Sequence, residues 1–281
     1  MSRPEATSSQ AKPYQIYAIR YATNTKRRRG QNFILEAQPD ALLTMDFFSW
    51  ALVGEDRTII IDTGMERARA ERNGHTFLRE PADGLRAIGI DPQAQTQVVL
   101  THAHYDHIGN VDQYPNAEFL MPLAEMQAVV GPDMHHAWMR HAYAGEEIGR
   151  LVQYLHAGRL RLHDADHEVA PGVSIHVVGG HTAGQAIVRV LTARGWVVLA
   201  SDALHYYEEY ERGVPFAVAH SVSDMMRAHD RIRDLADSDD HVLPAHDPLL
   251  LQKYPAARPD LDGFVLRLDV PPRGIASIQA A

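Results

Sequence analysis

Short runs in which apolar and polar residues alternate recur along the chain, and such alternation is typical of β-strands. Predicted strands occupy residues 14–21, 45–53, 58–62, 97–100 and 118–121, and later 173–178, 186–191, 196–200 and 241–243. The runs at 45–53 and 58–62 flank Gly54-Glu55-Asp56, a turn sequence that predicts a β-hairpin. The runs from residue 173 to 200 are rich in β-branched residues, which favours a buried sheet.

Helical spacing of apolar residues separates several of these strands. Helices are predicted at residues 82–88, 123–130, 145–156 and 223–235, with Ser223 as the N-cap of the last. Residues 122–160, rich in Met, His and Trp, are interpreted as a helical segment beside a substrate pocket. Strand-rich halves that each end in helices predict an α+β fold, with two sheets packed face to face and covered by helices.

The domain organisation follows from what the chain lacks. No linker rich in Gly, Ser or Pro divides the 281 residues, and the hydrophobic fraction of 45% is that of an ordinary globular protein. Residues 1–13 are polar and are expected to form a disordered tail. We therefore predict one domain over residues 14–281.

Charge and composition exclude several classes of protein. The formal net charge is -9, and the one basic run, Lys26-Arg27-Arg28-Arg29, is interpreted as a solvated loop, so a nucleic-acid partner is not expected. Cysteine is absent, which excludes disulfides, thiolate ligands and Cys nucleophiles. We expect no signal peptide and no membrane partner, and therefore a cytoplasmic protein.

The stretch Thr101-His102-Ala103-His104-Tyr105-Asp106-His107 carries the strongest chemical signal. It places three imidazoles and a carboxylate, which are preferred ligands of zinc and related ions, within six residues. His102 and His104 are two residues apart, so they point the same way on an extended segment. Asp106 and His107 follow where the chain turns and can face a second ion.

Three further ligand-type residues follow predicted strands, where loops gather into functional sites. His181 lies in the glycine-rich turn Gly179-Gly180-His181-Thr182-Ala183-Gly184. Asp202 follows the strand at 196–200, and His246 follows the last predicted strand. These positions reinforce the prediction of a metal site.

In order and approximate spacing, this series resembles the ligand series of the metallo-β-lactamase superfamily, and Asp62-Thr63-Gly64 resembles an early turn of that family. The resemblance extends over about residues 45–248 and implies a four-layer αββα sandwich. It implies that His102, His104 and His181 hold one ion and that Asp106, His107 and His246 hold the other. Asp202 would bridge the two ions, and Asp62 would orient a ligand histidine.

Two divalent metal ions, which we expect to be zinc, would make hydroxide available at neutral pH and polarise a carbonyl. Asp106 would carry a proton to the leaving group. Within the superfamily, the sequence is most similar to the N-acyl-homoserine lactonases, which implies opening of such a lactone or a related small lactone. In those lactonases a tyrosine is expected three residues after the bridging aspartate. Here that position is His205, followed by Tyr206, so His205 and Tyr206 join Asp106 as candidate catalytic residues.

Two alternatives remain open: a thioesterase similar to glyoxalase II, and a metal-binding regulatory protein without turnover. The expected partner is a small-molecule lactone or ester, and a homodimer is left open.

Overall fold

Thirteen strands and eight α-helices make up the part of the chain that the computed structural model describes, residues 11–274. The strands are β1 (Gln15–Asn24), β2 (Met45–Val53), β3 (Thr58–Ile61), β4 (Thr76–Phe77), β5 (Gln97–Val99), β6 (Glu118–Pro122), β7 (Leu160–His163), β8 (His167–Ala170), β9 (Val173–Val177), β10 (Ala186–Thr192), β11 (Gly195–Leu199), β12 (Val242–Leu243) and β13 (Val265–Arg267). The helices are α1 (Arg67–Arg72), α2 (Pro81–Ala87), α3 (Tyr105–Ile108), α4 (Leu123–Val129), α5 (Gly145–His156), α6 (Tyr207–Arg212), α7 (Val222–Leu235) and α8 (Leu250–Lys253).

Eight of these strands form the first sheet, in the order β13-β1-β2-β3-β5-β6-β7, with β4 paired to β1. Strands β1, β2 and β3 are antiparallel neighbours, whereas β3, β5, β6 and β7 run parallel. Parallel neighbours end at the same edge of a sheet. The residues that follow β3 and β5 therefore leave the sheet side by side.

The other five strands form the second sheet, in the order β12-β11-β10-β9-β8. Strands β9 and β11 are both antiparallel to β10, and β12 is parallel to β11. The carboxyl ends of β9, β11 and β12 consequently lie at one edge.

Alternate residues of each strand pack on opposite faces of the sheet, as the two-residue repeat of a strand requires. Trp50 of β2 and Val188 of β10 belong to the core shared by both sheets. The next residue of the first sheet, Ala51, instead joins an outer cluster with Leu151 of α5. Because both faces of this sheet are buried, the sequence of β2 is a nearly continuous apolar run.

The second sheet is covered in the same way. Ile187 of β10 and Val198 of β11 face away from the shared core and pack with Ile232 and Leu235 of α7. Helices thus cover the outer face of each sheet. The expected four-layer αββα sandwich is confirmed.

Several local predictions are corrected. The side chain of Ser221, not Ser223, caps α7, since it accepts a hydrogen bond from the backbone N–H of Asp224 at 3.2 Å. The edge strands β7, β8 and β13 were not predicted, because their sequences mix apolar with charged or imidazole side chains. Helices α4 and α5 occupy much of the segment 122–160.

The predicted tail at 1–13 lies outside the described residues except for 11–13, which lead into β1. The interpretation of residues 14–281 as one domain stays a prediction. Between residues 11 and 274, no helix is both long enough and apolar enough to cross a bilayer.

Candidate active site

The loops that follow β5, β9, β11 and β12 meet at one edge of the sandwich and bring all seven predicted ligand residues together. Their nitrogen and oxygen atoms form two groups, and within each group these atoms lie within 4.8 Å of one another. The first group is His102, His104, His181 and Asp202, and the second is Asp106, His107, Asp202 and His246. All seven side chains are buried, although the sequence separates them by up to 144 positions, from residue 102 to 246.

The carboxylate of Asp202 lies between the two groups and belongs to both. Its Oδ1 lies 3.2 Å from Nε2 of His107 and 3.2 Å from Nε2 of His246. Its Oδ2 lies 3.3 Å from Nε2 of His181 and 3.8 Å from Nε2 of His102. One oxygen therefore faces each group, the arrangement that a bridging carboxylate needs.

Three of the imidazoles are held through the ring nitrogen that faces away from the site. Nδ1 of His107 contacts the carboxylate of Asp62 at 2.7 Å, Nδ1 of His181 contacts the carbonyl of Val218 at 2.8 Å, and Nδ1 of His246 contacts the carbonyl of Asp46 at 2.7 Å. An acceptor at Nδ1 places the ring proton there and leaves the lone pair of Nε2 directed at the site.

Asp62, at the end of β3, links the two loops of the first sheet. Its carboxylate accepts hydrogen bonds from the backbone N–H and the hydroxyl of Thr101, both at 2.8 Å, besides its contact with His107. Asp62 and Ser201 have positive φ angles of 59° and 44°, which are uncommon for residues other than glycine. Such strain persists only where surrounding contacts determine the backbone, and it often marks functional sites.

The donor set fits divalent cations. Nε2 of His102 is buried without a hydrogen-bond partner among residues 11–274, although an unpaired buried polar atom is costly. Burial lowers the pKa of His104 to about 4 and holds the pKa of His102 and of His181 well below the ordinary value. Burial also acts to lower the pKa of His107, but the carboxylates around this ring, Asp202 foremost, hold that pKa well above the ordinary value, and a bound cation would replace the extra proton. Neutral imidazoles and carboxylates are the forms and donor types that zinc and related ions bind.

Glu125 of α4 is a site residue that was missed from the sequence. Its buried carboxylate accepts hydrogen bonds from the backbone N–H of Ala103 at 3.0 Å and of Gly184 at 2.9 Å. It therefore ties the loop of His102 to the loop of His181. A Cβ atom on Gly184 would lie 2.2 Å from the backbone nitrogen of Glu125, so this approach requires glycine. The sequence did contain one sign of this role, which is a single carboxylate on the apolar face of a helix.

His205 lies against the same carboxylate as the ligand groups. Its Nε2 is 3.1 Å from Oδ2 of Asp202, its Nδ1 is 3.6 Å from Oε1 of Glu209, and its ring stacks on Phe216 with centroids 3.5 Å apart. Burial alone would lower the pKa of His205, but the charges of Asp202 and Glu209 raise that pKa to about 9. Neither ring nitrogen of His205 has a hydrogen-bond partner among residues 11–274, so an N–H group of this ring is available at the site.

Tyr206, the other candidate donor, is not brought to the site. Its hydroxyl accepts a hydrogen bond from Nδ2 of Asn32 at 3.2 Å, and its ring packs against Phe33. Its side chain is 1% exposed in a core cluster that also contains Met45 and Met225. Of the two candidate donors, His205 is therefore the one whose side chain lines the cavity.

A cavity of about 440 Å³ opens above the two groups. Its floor consists of His104, Asp106, His181, Asp202, His205 and His246. The loop after β1 forms one wall, which we call the cationic wall and define as Asn24, Lys26, Arg27 and Gln31. A narrower side pocket adjoins the floor at His104 and His181. We call its apolar part, formed by Met134, Trp138, Met139 and Tyr143, the apolar side pocket; Asp133, His141 and His220 also line it.

The basic run that was interpreted as a solvated loop is therefore only partly solvated. Arg28 is exposed and pairs with Asp40 at 3.0 Å. Arg29 is largely buried against carboxylates of Glu36 and Glu208. Arg27, in contrast, reaches the cavity.

Comparisons with known proteins agree with this geometry. The family model of the metallo-β-lactamase superfamily matches residues 48–246. An N-acyl homoserine lactonase of Bacillus cereus is 28% identical over 195 residues, which cover 64% of this chain and 72% of the relative. A probable metallo-hydrolase of Mycobacterium tuberculosis is 25% identical over 258 residues, covering 74% of this chain and 79% of the relative.

Solved structures show the same fold. The crystal structure of a quorum-quenching N-acyl homoserine lactone lactonase superimposes with a TM-score of 0.71 at 21% identity, covering 85% of this chain and 94% of that one. The match of the family model over most of the chain, together with this fold, identifies the protein as a member of the metallo-β-lactamase superfamily.

Proposed function

We propose that this protein is a dinuclear metal-dependent hydrolase that opens a lactone ring or cleaves a related small carboxylic ester. The observation that carries the proposal is the position of Asp202, whose two oxygens each face one of two complete ligand groups. The similarity to N-acyl homoserine lactonases supports the reaction class.

The proposed ligands divide as the two groups do. His102, His104 and His181 would hold one ion, Asp106, His107 and His246 would hold the other, and Asp202 would contact both. Zinc is the proposed metal, because nitrogen and oxygen donors suit it. Bound ions of this type lower the pKa of water toward neutrality and polarise the carbonyl of an ester.

Asp106 and His205 are the proposed catalytic side chains. Asp106 lies at the cavity floor and would transfer a proton from the attacking water to the departing ring oxygen, while a bond forms from water to the carbonyl carbon and the ring C–O bond breaks. His205 would donate a hydrogen bond to the carbonyl oxygen, the role expected of a tyrosine in similar lactonases. The product is a hydroxy acid, which releases a proton at neutral pH.

The proposed substrates are N-acyl-homoserine lactones first and other small lactones second. The apolar side pocket beside the floor supports a substrate with an apolar group. A cytoplasmic location and a homodimer stay predictions.

Elemental analysis combined with a substrate panel tests the proposal. Purified protein should hold close to two ions per chain and should release protons from lactones at substrate concentrations up to about 1 mM. Full activity with at most one ion would overturn the dinuclear site.

The same panel separates the alternatives. Cleavage of glutathione thioesters without lactone opening would favour a thioesterase similar to glyoxalase II. Two bound ions without turnover of any lactone, ester or thioester would favour a regulatory metal-binding protein.

A further inference from the structure

Two cations of the cationic wall, Lys26 and Arg27, have no carboxylate partner in the described part of the chain. Within residues 11–274, no carboxylate oxygen lies within 4.0 Å of a side-chain nitrogen of Lys26 or Arg27, although the next two residues of the same run, Arg28 and Arg29, both have such partners. Lys26 is exposed and Arg27 is half-buried. Arg159, Arg189 and Arg194 are half-buried in the same way, also without a carboxylate partner among residues 11–274, but none of them lines the cavity. The position of Arg27 beside the cavity is therefore what sets it apart.

Neutral groups hold Arg27 in place. Its Nε donates to the amide oxygen of the buried Asn32, and its Nη2 donates to the backbone carbonyl of Gln31 at 3.1 Å. Its Cζ lies 5.5 Å from the ring centroid of Phe216, the residue on which His205 stacks. The side chain is thus oriented at the edge of the cavity, while its charge remains available.

Among the described residues that line the cavity, the only carboxylates are those of Asp106 and Asp202 on the floor. Both carboxylates belong to the candidate ligand groups. Two divalent cations would offset their charge, so they would not serve as partners of Arg27 in the loaded protein. The loaded cavity would then carry net positive charge on its floor and on one wall, and such a site attracts anions.

We propose that the preferred substrate carries a carboxylate, apart from the ester or lactone that is cleaved, and that Arg27 binds this carboxylate with help from Lys26. The planar guanidinium matches a carboxylate in geometry, and charge-assisted hydrogen bonds of this kind are stronger than neutral ones. This inference rests on the proposed hydrolase function. It shifts the preferred substrate from neutral N-acyl-homoserine lactones, which have no such carboxylate, to anionic lactones and esters.

A matched pair of substrates tests the proposal: a five-membered lactone with a carboxylate substituent and the same lactone with a carboxamide. The wild-type protein should show a kcat/KM about 10- to 100-fold higher for the carboxylate, the range expected for a charged hydrogen bond. Arg27→Gln should abolish this preference. Its kcat/KM for the carboxamide lactone should stay within about 3-fold of the wild-type value. Arg27→Lys should recover part of the preference.

Arg28→Gln is the matched control, since it removes a neighbouring charge that already has a partner. This variant should leave kcat/KM unchanged for both substrates. An equal loss on both substrates in Arg27→Gln would mean that Arg27 only supports the loop or binds the carboxylate that hydrolysis creates, and would overturn the proposal. An equal kcat/KM of the wild type for both substrates would also overturn it.

A binding measurement separates this inference from the hydrolase function. Calorimetry on the zinc-loaded protein would compare malonate, succinate, glutarate and adipate with their monoamides, which keep one carboxylate for the floor. At least one diacid should bind about 10-fold more tightly than its monoamide, and Arg27→Gln should remove the difference. This result without lactone cleavage would refute the hydrolase and retain the anion site. Cleavage of a lactone without any preference for a diacid would retain the hydrolase function and refute the anion site.

Discussion

The floor of the cavity and its cationic wall position their side chains by different means. On the floor, His107, His181 and His246 are each fixed by an acceptor at the nitrogen that faces away from the site. These residues follow strands of a buried core. The wall lies in the loop between β1 and β2, and Arg27 is held there by one amide and one backbone carbonyl.

Because of this difference, the floor and the wall suit different functions. A floor that is fixed by buried contacts can hold donor atoms in one arrangement, which metal binding and ester chemistry require. Loops on a rigid scaffold can change in sequence without disturbing the core, which suits substrate selection. Substitutions of floor residues, or of residues that hold them, should therefore affect metal content or turnover, whereas substitutions on the walls of the cavity or in the side pocket should affect the choice of substrate.

The largest effect is expected from Asp202→Asn. The amide keeps the shape but removes a charge that both ligand groups share, and loss of one partner of a buried charge network costs about 3–5 kcal/mol. Turnover should fall by at least about 100-fold, and metal content should fall with it. Elemental analysis and kcat/KM check this, with Asp230→Asn on the exposed side of α7 as the control. Wild-type turnover in Asp202→Asn would exclude the bridging role.

His205→Phe should act on turnover alone. The phenyl ring can still stack on Phe216 but cannot donate a hydrogen bond, so kcat/KM should fall about 100-fold while metal content stays at the wild-type level. Tyr206→Phe removes a hydroxyl that accepts a hydrogen bond from Asn32. Its kcat/KM should stay within about 3-fold of the wild-type value. Loss of activity in Tyr206→Phe but not in His205→Phe would reverse the assignment.

Asp62→Asn should weaken metal binding without removing a ligand. The amide has one acceptor oxygen in place of two, so it cannot accept from the backbone N–H of Thr101 and from Nδ1 of His107 at the same time, and the orientation and tautomer of this ring are less firmly fixed. Metal affinity should fall by about 10- to 100-fold, measured by competition with a chelator. Excess metal should restore turnover, which distinguishes this variant from Asp202→Asn. Failure of that rescue would place Asp62 directly in the reaction.

The smallest effect is expected outside the floor. Trp138 lines the apolar side pocket and is 70% exposed, so an apolar substituent of a substrate can cover it. Trp138→Ala should raise KM about 3- to 10-fold for lactones with a long acyl chain and leave kcat unchanged. Short-chain lactones, and Leu35→Ala at a surface site, serve as controls. A fall in kcat would show that the pocket also positions the reacting group.

The meeting of the seven candidate ligand residues could be predicted from the sequence, because each follows a strand and the strand ends of two layered sheets converge. The sequence could not predict the partners of His181 and His246, since these are backbone carbonyls of Val218 and Asp46, and any residue type supplies a carbonyl. It also misjudged Arg27, because a charge run in a polar loop looks solvated until the loop is placed. Whether a charge has a partner depends on contacts between residues distant in sequence.

The position of β12 has a consequence for the order of events during synthesis. This strand joins the second sheet beside β11 and delivers His246, so the second ligand group lacks one member until the chain has been made to that point. The first group has all its residues by position 202. A ribosome-bound chain that stops before residue 246 can therefore offer only the first group in full. Binding of a metal ion by both ligand groups would then distinguish a finished polypeptide from an interrupted one.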